Sequence, residues 1–196
     1  MTRVLLVRHG QSEWNADGRW QGQADPPLSE MGLRQAADAS QAIGTVDAIV
    51  ASPLERARRT AEIIAGALGI EPVLIVDGLM ERSAGEWEGL TRIEIEARYP
   101  GYLDDGRRPP GWEDDEALLD RVLGALDAVH QVCPGGEIVA VTHGGVIMNL
   151  ERHLGDGRGR IANVGGRWIQ RLDDDWVLGD RLDLVEPAER TVPNQI

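Results

Sequence analysis

Short aliphatic runs alternate with longer amphipathic segments along most of the chain. The aliphatic runs predict strands at 3–8, 46–51, 72–76, 137–142, 167–172 and 176–182. Helical patterning predicts helices at 29–43, 53–68, 91–98, 114–132 and 145–154. Because strands and helices alternate over such a length, we predict a mostly parallel sheet with helices on both of its faces.

The chain is predicted to form one domain over residues 1–196, since its length suits a single hydrophobic core. The last two predicted strands flank Asp173-Asp174-Asp175, which predicts a hairpin turn between them. We expect residues 187–196 to form a loosely ordered tail.

The charge balance and the cysteine content narrow the classes of partner. The formal net charge is −13, and all 20 basic residues are arginines, so neither a nucleic acid nor an anionic membrane is an expected partner. Cys133 is the only cysteine, which excludes an intramolecular disulfide and a cysteine metal cluster. The run Val4–Val7 is too short for a signal peptide, and no stretch is long enough to span a membrane, so we expect a cytoplasmic protein.

Two of the predicted strands end in residues that suit phosphate chemistry. Arg8-His9-Gly10 follows the first strand, and His143-Gly144-Gly145 follows the fourth. In open α/β sheets, ligands bind just beyond the carboxyl ends of the strands. At such a place a guanidinium can hold phosphate oxygens through paired hydrogen bonds, and an imidazole can act as a nucleophile or a proton carrier.

The segments after the second and third strands carry further candidates. Ser52 is a favourable N-cap, Pro53 suits the first helical position and Glu55 completes a capping box. This start places Arg56 in the first turns of a helix, close to the positive end of the helix and to the strand terminus. Glu81 follows the third strand shortly before a glycine-rich turn.

Taken in order, these motifs resemble the histidine phosphatase superfamily, also called the phosphoglycerate mutase-like family. The segments that carry the resemblance are Arg8-His9-Gly10, Asn15, Gln21-Gly22, Pro27-Leu28-Ser29-Glu30-Met31-Gly32, Ser52-Pro53-Leu54, Arg56-Ala57, Glu81, Trp87-Glu88-Gly89 and His143-Gly144-Gly145. They run over nearly the whole chain. The resemblance implies a three-layer α/β/α sandwich with a mostly parallel mixed sheet.

The resemblance also implies a division of roles. His9 is the implied nucleophile that forms phosphohistidine, and Arg8, Arg56 and His143 surround the phosphate. We expect their positive field to lower the pKa of His9, which favours the neutral, attacking imidazole. As a phosphate ligand, His143 is expected to be protonated, and the backbone N–H of Gly144 is expected to face the anion.

A leaving alkoxide needs a proton donor, and Glu81 is favoured for this role by its family position over Glu13, Glu86 and Glu88. The secondary substrate contacts implied by the resemblance are Asn15, Gln21 and Gly22. Asn15 is implied as a phosphate ligand, and the other two are expected to line the entrance.

Two long segments, 15–27 and 100–115, are predicted to cover the site, because long ordered loops in compact domains often serve function. Arg107 and Arg108 in the second segment are candidates for contact with substrate. The alternative is that both guanidinium groups are simply solvated.

Departures from the mutase pattern favour a phosphatase that acts on small phosphorylated metabolites. The run Glu81-Arg82-Ser83-Ala84-Gly85 lacks a His and a Tyr that mutases carry there, and Gly145 stands where mutases have Asn. The chain also has no lysine. The run from Arg8 to Asn15 and the pair Arg107-Arg108 are mutase-like, so a cofactor-dependent phosphoglycerate mutase stays an alternative.

Other function classes receive less support. A non-catalytic module that binds phosphorylated ligands would not need the full set of catalytic residues. A nucleotide-dependent oxidoreductase would need a glycine-rich turn that does not follow Gly10. The four histidines lack the usual metal-ligand spacing, so neither a metal nor an organic cofactor is expected. The sequence makes no prediction about oligomeric state.

Overall fold

A computed structural model describes residues 1–193 and gives a six-stranded sheet with helices on both faces. The strands are β1 (Arg3–Arg8), β2 (Ala48–Ala51), β3 (Leu74–Ile75), β4 (Glu137–Thr142), β5 (Gly165–Leu172) and β6 (Asp175–Asp183). The α-helices are α1 (Glu13–Ala16), α2 (Glu30–Ala42), α3 (Glu55–Leu68), α4 (Arg92–Arg98), α5 (Asp115–Val132) and α6 (Gly144–His153). Short 3₁₀ turns lie at Asp77–Leu79, Gly85–Trp87 and Pro187–Glu189.

The sheet is mixed, with the strand order β3-β2-β4-β1-β5-β6. The first four strands in this order run parallel, while β5 pairs antiparallel with both β1 and β6. The predicted hairpin between β5 and β6 is confirmed, and Asp173 turns the chain with a φ of 52°. Asp tolerates this left-handed conformation better than most residues do.

Side chains on successive strand positions alternate between two cores. In β1, Leu6 contributes to the core under α5 and α6, and Leu5 contributes to the core under α2 and α3. Leu126 and Ile64, from α5 and α3, are fully buried in these two layers. The predicted three-layer α/β/α sandwich is therefore confirmed.

A third cluster of apolar residues, built mainly from aromatic rings, joins the segments 15–27 and 100–115 to the turn at Gly85–Trp87. Trp87 is fully buried at its centre, with Trp20, Trp112 and Tyr99 packed against it. The Trp87 and Trp112 ring centroids are 5.6 Å apart in a T-shaped contact. Edge-to-face contacts of this kind stabilise aromatic packing beyond their buried area, so this cluster holds the covering loops in place.

The start of α3 differs from its prediction. The helix begins at Glu55 with Leu54 as N-cap, and no side chain caps it. Ser52 lies two residues too early to cap the helix, and its hydroxyl instead contacts the Leu54 N–H at 3.3 Å. The expected position of Arg56 in the first turn of the helix is nevertheless confirmed.

The first part of the predicted tail has a defined place. It forms a 3₁₀ turn at Pro187–Glu189, and the Thr191 carbonyl accepts a hydrogen bond from the Asn163 N–H at 2.8 Å. Residues 194–196 of the predicted tail lie outside the described residues. None of the helices within residues 1–193 combines the length and the apolar character that a membrane crossing requires.

Candidate active site

The candidate site lies at the carboxyl ends of three parallel strands. His9 directly follows β1, Ser52 directly follows β2 and His143 directly follows β4. Because β4 lies between β1 and β2, these three residues meet at one edge of the sheet. The ring centroids of His9 and His143 are 5.2 Å apart, so the structure brings together the two motifs that are 134 residues apart in sequence.

Hydrogen bonds fix the tautomer and the orientation of the His9 ring. Its Nδ1 lies 2.6 Å from the Gly10 carbonyl oxygen, which can only accept, so the proton is on Nδ1. Nε2 then carries a lone pair, to which Arg56 Nε donates at 3.3 Å. Burial, followed by the charges of Arg56 and Arg8, holds the pKa of His9 well below its ordinary value. A neutral imidazole with a lone pair on Nε2 is a competent nucleophile.

Arg8 presents one edge of its guanidinium group without a protein partner. Nη1 donates to the Ile161 carbonyl at 2.7 Å. The buried Nε and Nη2 atoms have no hydrogen-bond partner among residues 1–193. Such an edge of a guanidinium group can hold two oxygens of a phosphate at once. Desolvation by burial lowers the Arg8 pKa to about 10, so the group stays cationic at neutral pH.

Arg56 is held by the covering loop of residues 15–27. Its Nη1 donates to the Ala24 carbonyl at 2.7 Å, and its Nη2 donates to the Gly22 carbonyl at 2.9 Å. Burial lowers the Arg56 pKa to about 10, and the charge of Glu81 opposes that shift. The group therefore remains a fixed positive charge beside Nε2 of His9.

His143 is fully buried, and its environment differs from the one expected. Burial first, and then the charge of Arg56, hold the pKa of His143 well below its ordinary value. In the free protein the ring is therefore neutral, whereas we expected it to be protonated. Its Nε2 lies 2.8 Å from Ser52 Oγ, and its buried Nδ1 has no partner within the described part of the chain.

Two backbone N–H groups hold the side chain of Glu81 in the site. Oε1 accepts from the Arg82 N–H at 2.8 Å, and Oε2 accepts from the Gly145 N–H at 3.1 Å. The carboxylate is 8% exposed and lines the same small pocket as Arg8 and His9. A Cβ on Gly145 would lie only 2.3 Å from Oε1, so this carboxylate position requires a glycine there.

The three secondary contacts also lie at the pocket. Asn15, Gln21 and Gly22 all line it. Gln21 accepts a hydrogen bond from the Ser12 hydroxyl at 2.6 Å. Gly22 has a φ of 52°, and a Cβ there would approach the backbone nitrogen of Ala84 to 2.7 Å, so the entrance loop requires glycine at this position. Gly144 begins α6 and is buried directly beside His143.

Two of the three competing carboxylates have other partners. Glu88 accepts from the backbone N–H groups of Gln23 and Ala84, at 2.9 and 3.1 Å. Glu86 accepts from the Tyr99 hydroxyl, and Glu13 lies in the first turn of α1. Of these carboxylates only Glu81 lines the pocket beside His9.

A groove of about 600 Å³ continues outward from the pocket. Trp20, Trp112 and Arg82 line both spaces, so they form the passage between them. Arg108 lines the groove, and its guanidinium lies 4.8 Å from the centre of the Trp112 ring. Arg107 instead pairs with Asp105 at 2.7 Å, away from the groove lining. The structure thus separates two arginines that the sequence presented as equivalent.

Two residues near the site were not assigned to it from the sequence. Ser52 was assigned to helix capping, but its hydroxyl faces His143. Asn163 follows an irregular segment with no recognisable motif, but its amide contacts the His9 carbonyl at 3.0 Å. Within residues 1–193, no cluster of three or more His, Cys, Asp or Glu side chains has the geometry of a metal site.

Comparison with known proteins agrees with this geometry. The sequence model of the histidine phosphatase superfamily (branch 1) matches residues 4–162. The chain is 36% identical over 187 residues to the phosphatase PhoE of Bacillus subtilis, covering 92% of this chain and 94% of that protein. It is 39% identical over 216 residues to a probable phosphoglycerate mutase, GpmB, of Cronobacter sakazakii, covering 96% and 97%.

A solved structure shows the same fold. Mycobacterial glucosyl-3-phosphoglycerate phosphatase, in complex with VO₃, superposes with a TM-score of 0.80 at 30% identity. The match covers 90% of this chain and 96% of that one. On the family match and these similarities, the chain belongs to the histidine phosphatase superfamily, branch 1.

Proposed function

We propose that this protein hydrolyses phosphate monoesters of small metabolites through a phosphohistidine on Nε2 of His9. The observation that carries the proposal is the set of groups around that atom. The unpartnered edge of Arg8 and the charge of Arg56 lie beside a neutral imidazole whose tautomer is fixed by Gly10. These groups supply a nucleophile, and they supply positive charge that stabilises the equatorial phosphate oxygens in the transition state of phosphoryl transfer.

In the first step, Nε2 of His9 attacks phosphorus, and the bond from phosphorus to the ester oxygen breaks. Glu81, assigned to its protonated form in the substrate complex, gives its proton to the departing alkoxide oxygen, which leaves as the alcohol. The ring of the phosphohistidine then carries positive charge, which the hydrogen bond from Nδ1 to the Gly10 carbonyl stabilises. Arg8 holds two phosphate oxygens through Nε and Nη2 during this transfer.

In the second step, water attacks the phosphohistidine. Glu81, now a carboxylate, takes a proton from that water as the new P–O bond forms. The P–N bond breaks, its electron pair returns to Nε2, and inorganic phosphate leaves. The Arg82 and Gly145 N–H groups hold the carboxyl group of Glu81 in one place in the pocket, so the same group is available for both steps.

The charge that other phosphatases draw from a metal is supplied here by Arg8 and Arg56. Both guanidinium groups are almost completely buried, where a fixed charge acts on a substrate more strongly than it does in water. We therefore propose metal-independent catalysis. A cytoplasmic location is proposed as well, because small phosphorylated metabolites are held inside cells.

The groove supports a leaving group of metabolite size. Its lining combines the flat faces of Trp20 and Trp112 with more cationic than anionic groups. The arginines are Arg82, Arg108, Arg152, Arg158 and Arg160, and the carboxylates are Asp114, Asp115 and Glu151. An alkoxide that carries an anionic substituent fits this mixture of aromatic and positive surface. Phosphorylated hydroxy acids are therefore favoured over neutral phosphorylated sugars.

The experiment is a phosphate-release screen over phosphorylated metabolites, run beside an assay that interconverts 3- and 2-phosphoglycerate. We expect phosphate release, inhibition by vanadate, and no loss of rate after exhaustive treatment with EDTA. Interconversion faster than release would identify a mutase. Loss with EDTA that a divalent ion restores would refute metal-independent catalysis, and phosphate binding without any turnover would indicate a binding module.

A further inference from the structure

Asn163 contacts the loop that follows β1 and carries His9. It is fully buried, and it lies in the turn that leads into β5. Its Nδ2 donates to the His9 carbonyl at 3.0 Å and to Asn15 Oδ1 at 3.2 Å. One amide group therefore ties the backbone of the implied nucleophile to a side chain that lines the phosphate pocket.

These contacts determine which end of the Asn15 amide faces the pocket. Asn15 Oδ1 accepts from Asn163 Nδ2, and it also accepts from the Ser12 N–H at 3.2 Å. With both donors on the oxygen, the oxygen end of the amide is fixed toward the protein. The NH₂ end is then the part of Asn15 that is suited to donate to a phosphate oxygen.

The Asn163 amide is itself oriented by the C-terminal segment. Thr191 Oγ1 donates to Asn163 Oδ1 at 2.9 Å, and Gln35 Nε2 donates to Thr191 Oγ1 at 3.0 Å. Gln35 Oε1 in turn accepts from the Gln11 N–H at 2.8 Å. The network starts and ends on the loop that carries His9, so it locks both the amide and the loop.

Backbone strain at the next residue is an independent sign that this turn is held in place. Val164 has a φ of 49°, a left-handed conformation that a β-branched residue adopts rarely and at a cost in energy. Its N–H donates to the Arg8 carbonyl at 3.0 Å, and its side chain is fully buried. The fold keeps this conformation, which presses the turn against the backbone of Arg8 and His9.

From these contacts we infer that Asn163 is a positioning residue of the phosphate site, which acts on the bound phosphate through Asn15 and which Thr191 orients. The inference rests on the proposed function, because it concerns the same phosphate. It extends the site to the C-terminal segment, about which the catalytic motifs say nothing.

A double-mutant cycle on phosphate affinity tests this inference. Dissociation constants for inorganic phosphate and vanadate are measured by calorimetry on the wild type, Asn15→Ala, Asn163→Ala and the double variant. Loss of one hydrogen bond to a charged group should weaken binding about tenfold in each single variant. If Asn163 acts through Asn15, the double variant should bind within about twofold of Asn15→Ala.

Independent effects that multiply to about a hundredfold would overturn the inference, as would phosphate affinity that is unchanged in Asn163→Ala. Thr191→Val keeps the Asn163 side chain but removes the hydroxyl that orients it, so it tests the same point if Asn163→Ala fails to fold. We expect about threefold weaker phosphate binding, and an unchanged affinity would again overturn the inference.

Asn149→Ala is the matched control. Asn149 is also buried, but it donates to the Asp115 carbonyl at 2.9 Å, so phosphate affinity should not change. Binding is measured at equilibrium without turnover. A wild type that binds phosphate but hydrolyses no ester would therefore defeat the proposed function while the cycle still gives its own answer.

Discussion

Ser52 Oγ lies 2.8 Å from Nε2 of His143 and joins the end of β2 to the end of β4. Ser52 Oγ accepts from the Leu54 N–H, and within residues 1–193 Nε2 is the one acceptor within reach of the buried serine proton, so we assign Ser52 as the donor. His143 then carries its proton on Nδ1, the buried atom without a partner in the described structure. In this tautomer a neutral His143 can donate to phosphate, which reconciles its lowered pKa with a role as a phosphate ligand.

Ser52→Ala should therefore change the pH dependence of catalysis as well as its rate. Without the serine proton, nothing on Nε2 holds neutral His143 in the Nδ1–H tautomer, and the fully protonated ring becomes the form that always donates from Nδ1. We expect kcat/KM to fall about tenfold to a hundredfold, since the hydrogen bond from His143 to the charged phosphate is weakened. The pH optimum should move toward acid, and pH–rate profiles measure both effects.

Ser40→Ala is the control for that variant. Ser40 is a buried serine in α2 whose hydroxyl donates to the Ala37 carbonyl at 2.6 Å, remote from the site. It should leave the pH–rate profile unchanged. A Ser52→Ala profile with the wild-type pH optimum would show that Ser52 only packs against His143.

Gly145→Ala should impair the proposed proton donor, Glu81, without removing it. The new Cβ would lie 2.3 Å from Glu81 Oε1 and must displace the carboxylate. We expect kcat to fall by about two to four orders of magnitude for esters with poor leaving groups, as for Glu81→Gln. The loss should be smaller for p-nitrophenyl phosphate, whose leaving group needs little protonation.

The matched control is Gly124→Ala in α5, where a Cβ would meet nothing within 4 Å. That variant should keep full activity, and it should be slightly stabilised because alanine favours a helix. Steady-state rates on both classes of ester measure the contrast. Equal losses on both classes would take the role of acid away from Glu81.

Arg108→Ala should affect substrate choice, and Arg107→Ala should not. Arg108 lines the groove near Arg82, whereas Arg107 pairs with Asp105. For substrates that carry a carboxylate, the loss of an exposed charged contact in Arg108→Ala should raise KM about threefold to tenfold. Neutral phosphorylated sugars should be affected less. Equal KM changes in the two variants would contradict a role for the groove in substrate choice.

Acid should destabilise the protein through its two buried histidines. The folded pKa values of His9 and His143 lie well below the ordinary value, so only the unfolded chain takes up these protons as the pH falls below about 6.5. The contribution of these histidines to the free energy of unfolding is therefore constant above about pH 6.5. At lower pH this free energy decreases by up to about 1.4 kcal/mol per pH unit for each histidine.

Urea unfolding of the wild type and of His9→Asn at several pH values measures this effect. The variant lacks one of the two groups, so its free energy of unfolding should depend less steeply on pH below about 6.5. Parallel curves for the two proteins would show that the His9 pKa is not depressed in the folded state.

The sequence predicted the layers and the strand ends well, because alternating aliphatic and amphipathic segments directly reflect burial. The 72–76 strand shortened to Leu74–Ile75, where β3 is an exposed edge with a single neighbour and little burial to define its ends. The hydrophobic pattern could not predict the strand order, because nothing in the sequences of β1 and β4 shows that these two strands pair. Their pairing is what places His143 beside His9.

The parts of the site that escaped prediction depend on long-range geometry. Ser52 fits a local capping rule, and only the register of β2 against β4 turns its hydroxyl toward His143. Arg107 and Arg108 are adjacent in the sequence, but Asp105 engages only the first of them. Burial as the main cause of the lowered His9 pKa was also inaccessible, because it depends on the packed loops above the ring.

The central claim is that Nε2 of His9 carries the phosphoryl group. The most direct measurement is a rapid denaturing quench of the enzyme during turnover of a ³²P-labelled ester, followed by mapping of the labelled peptide. We predict protein-bound label that is labile to acid and stable to alkali, located on His9 and absent from His9→Ala. Label that is missing from the native enzyme during turnover, or that persists in His9→Ala, would contradict the account.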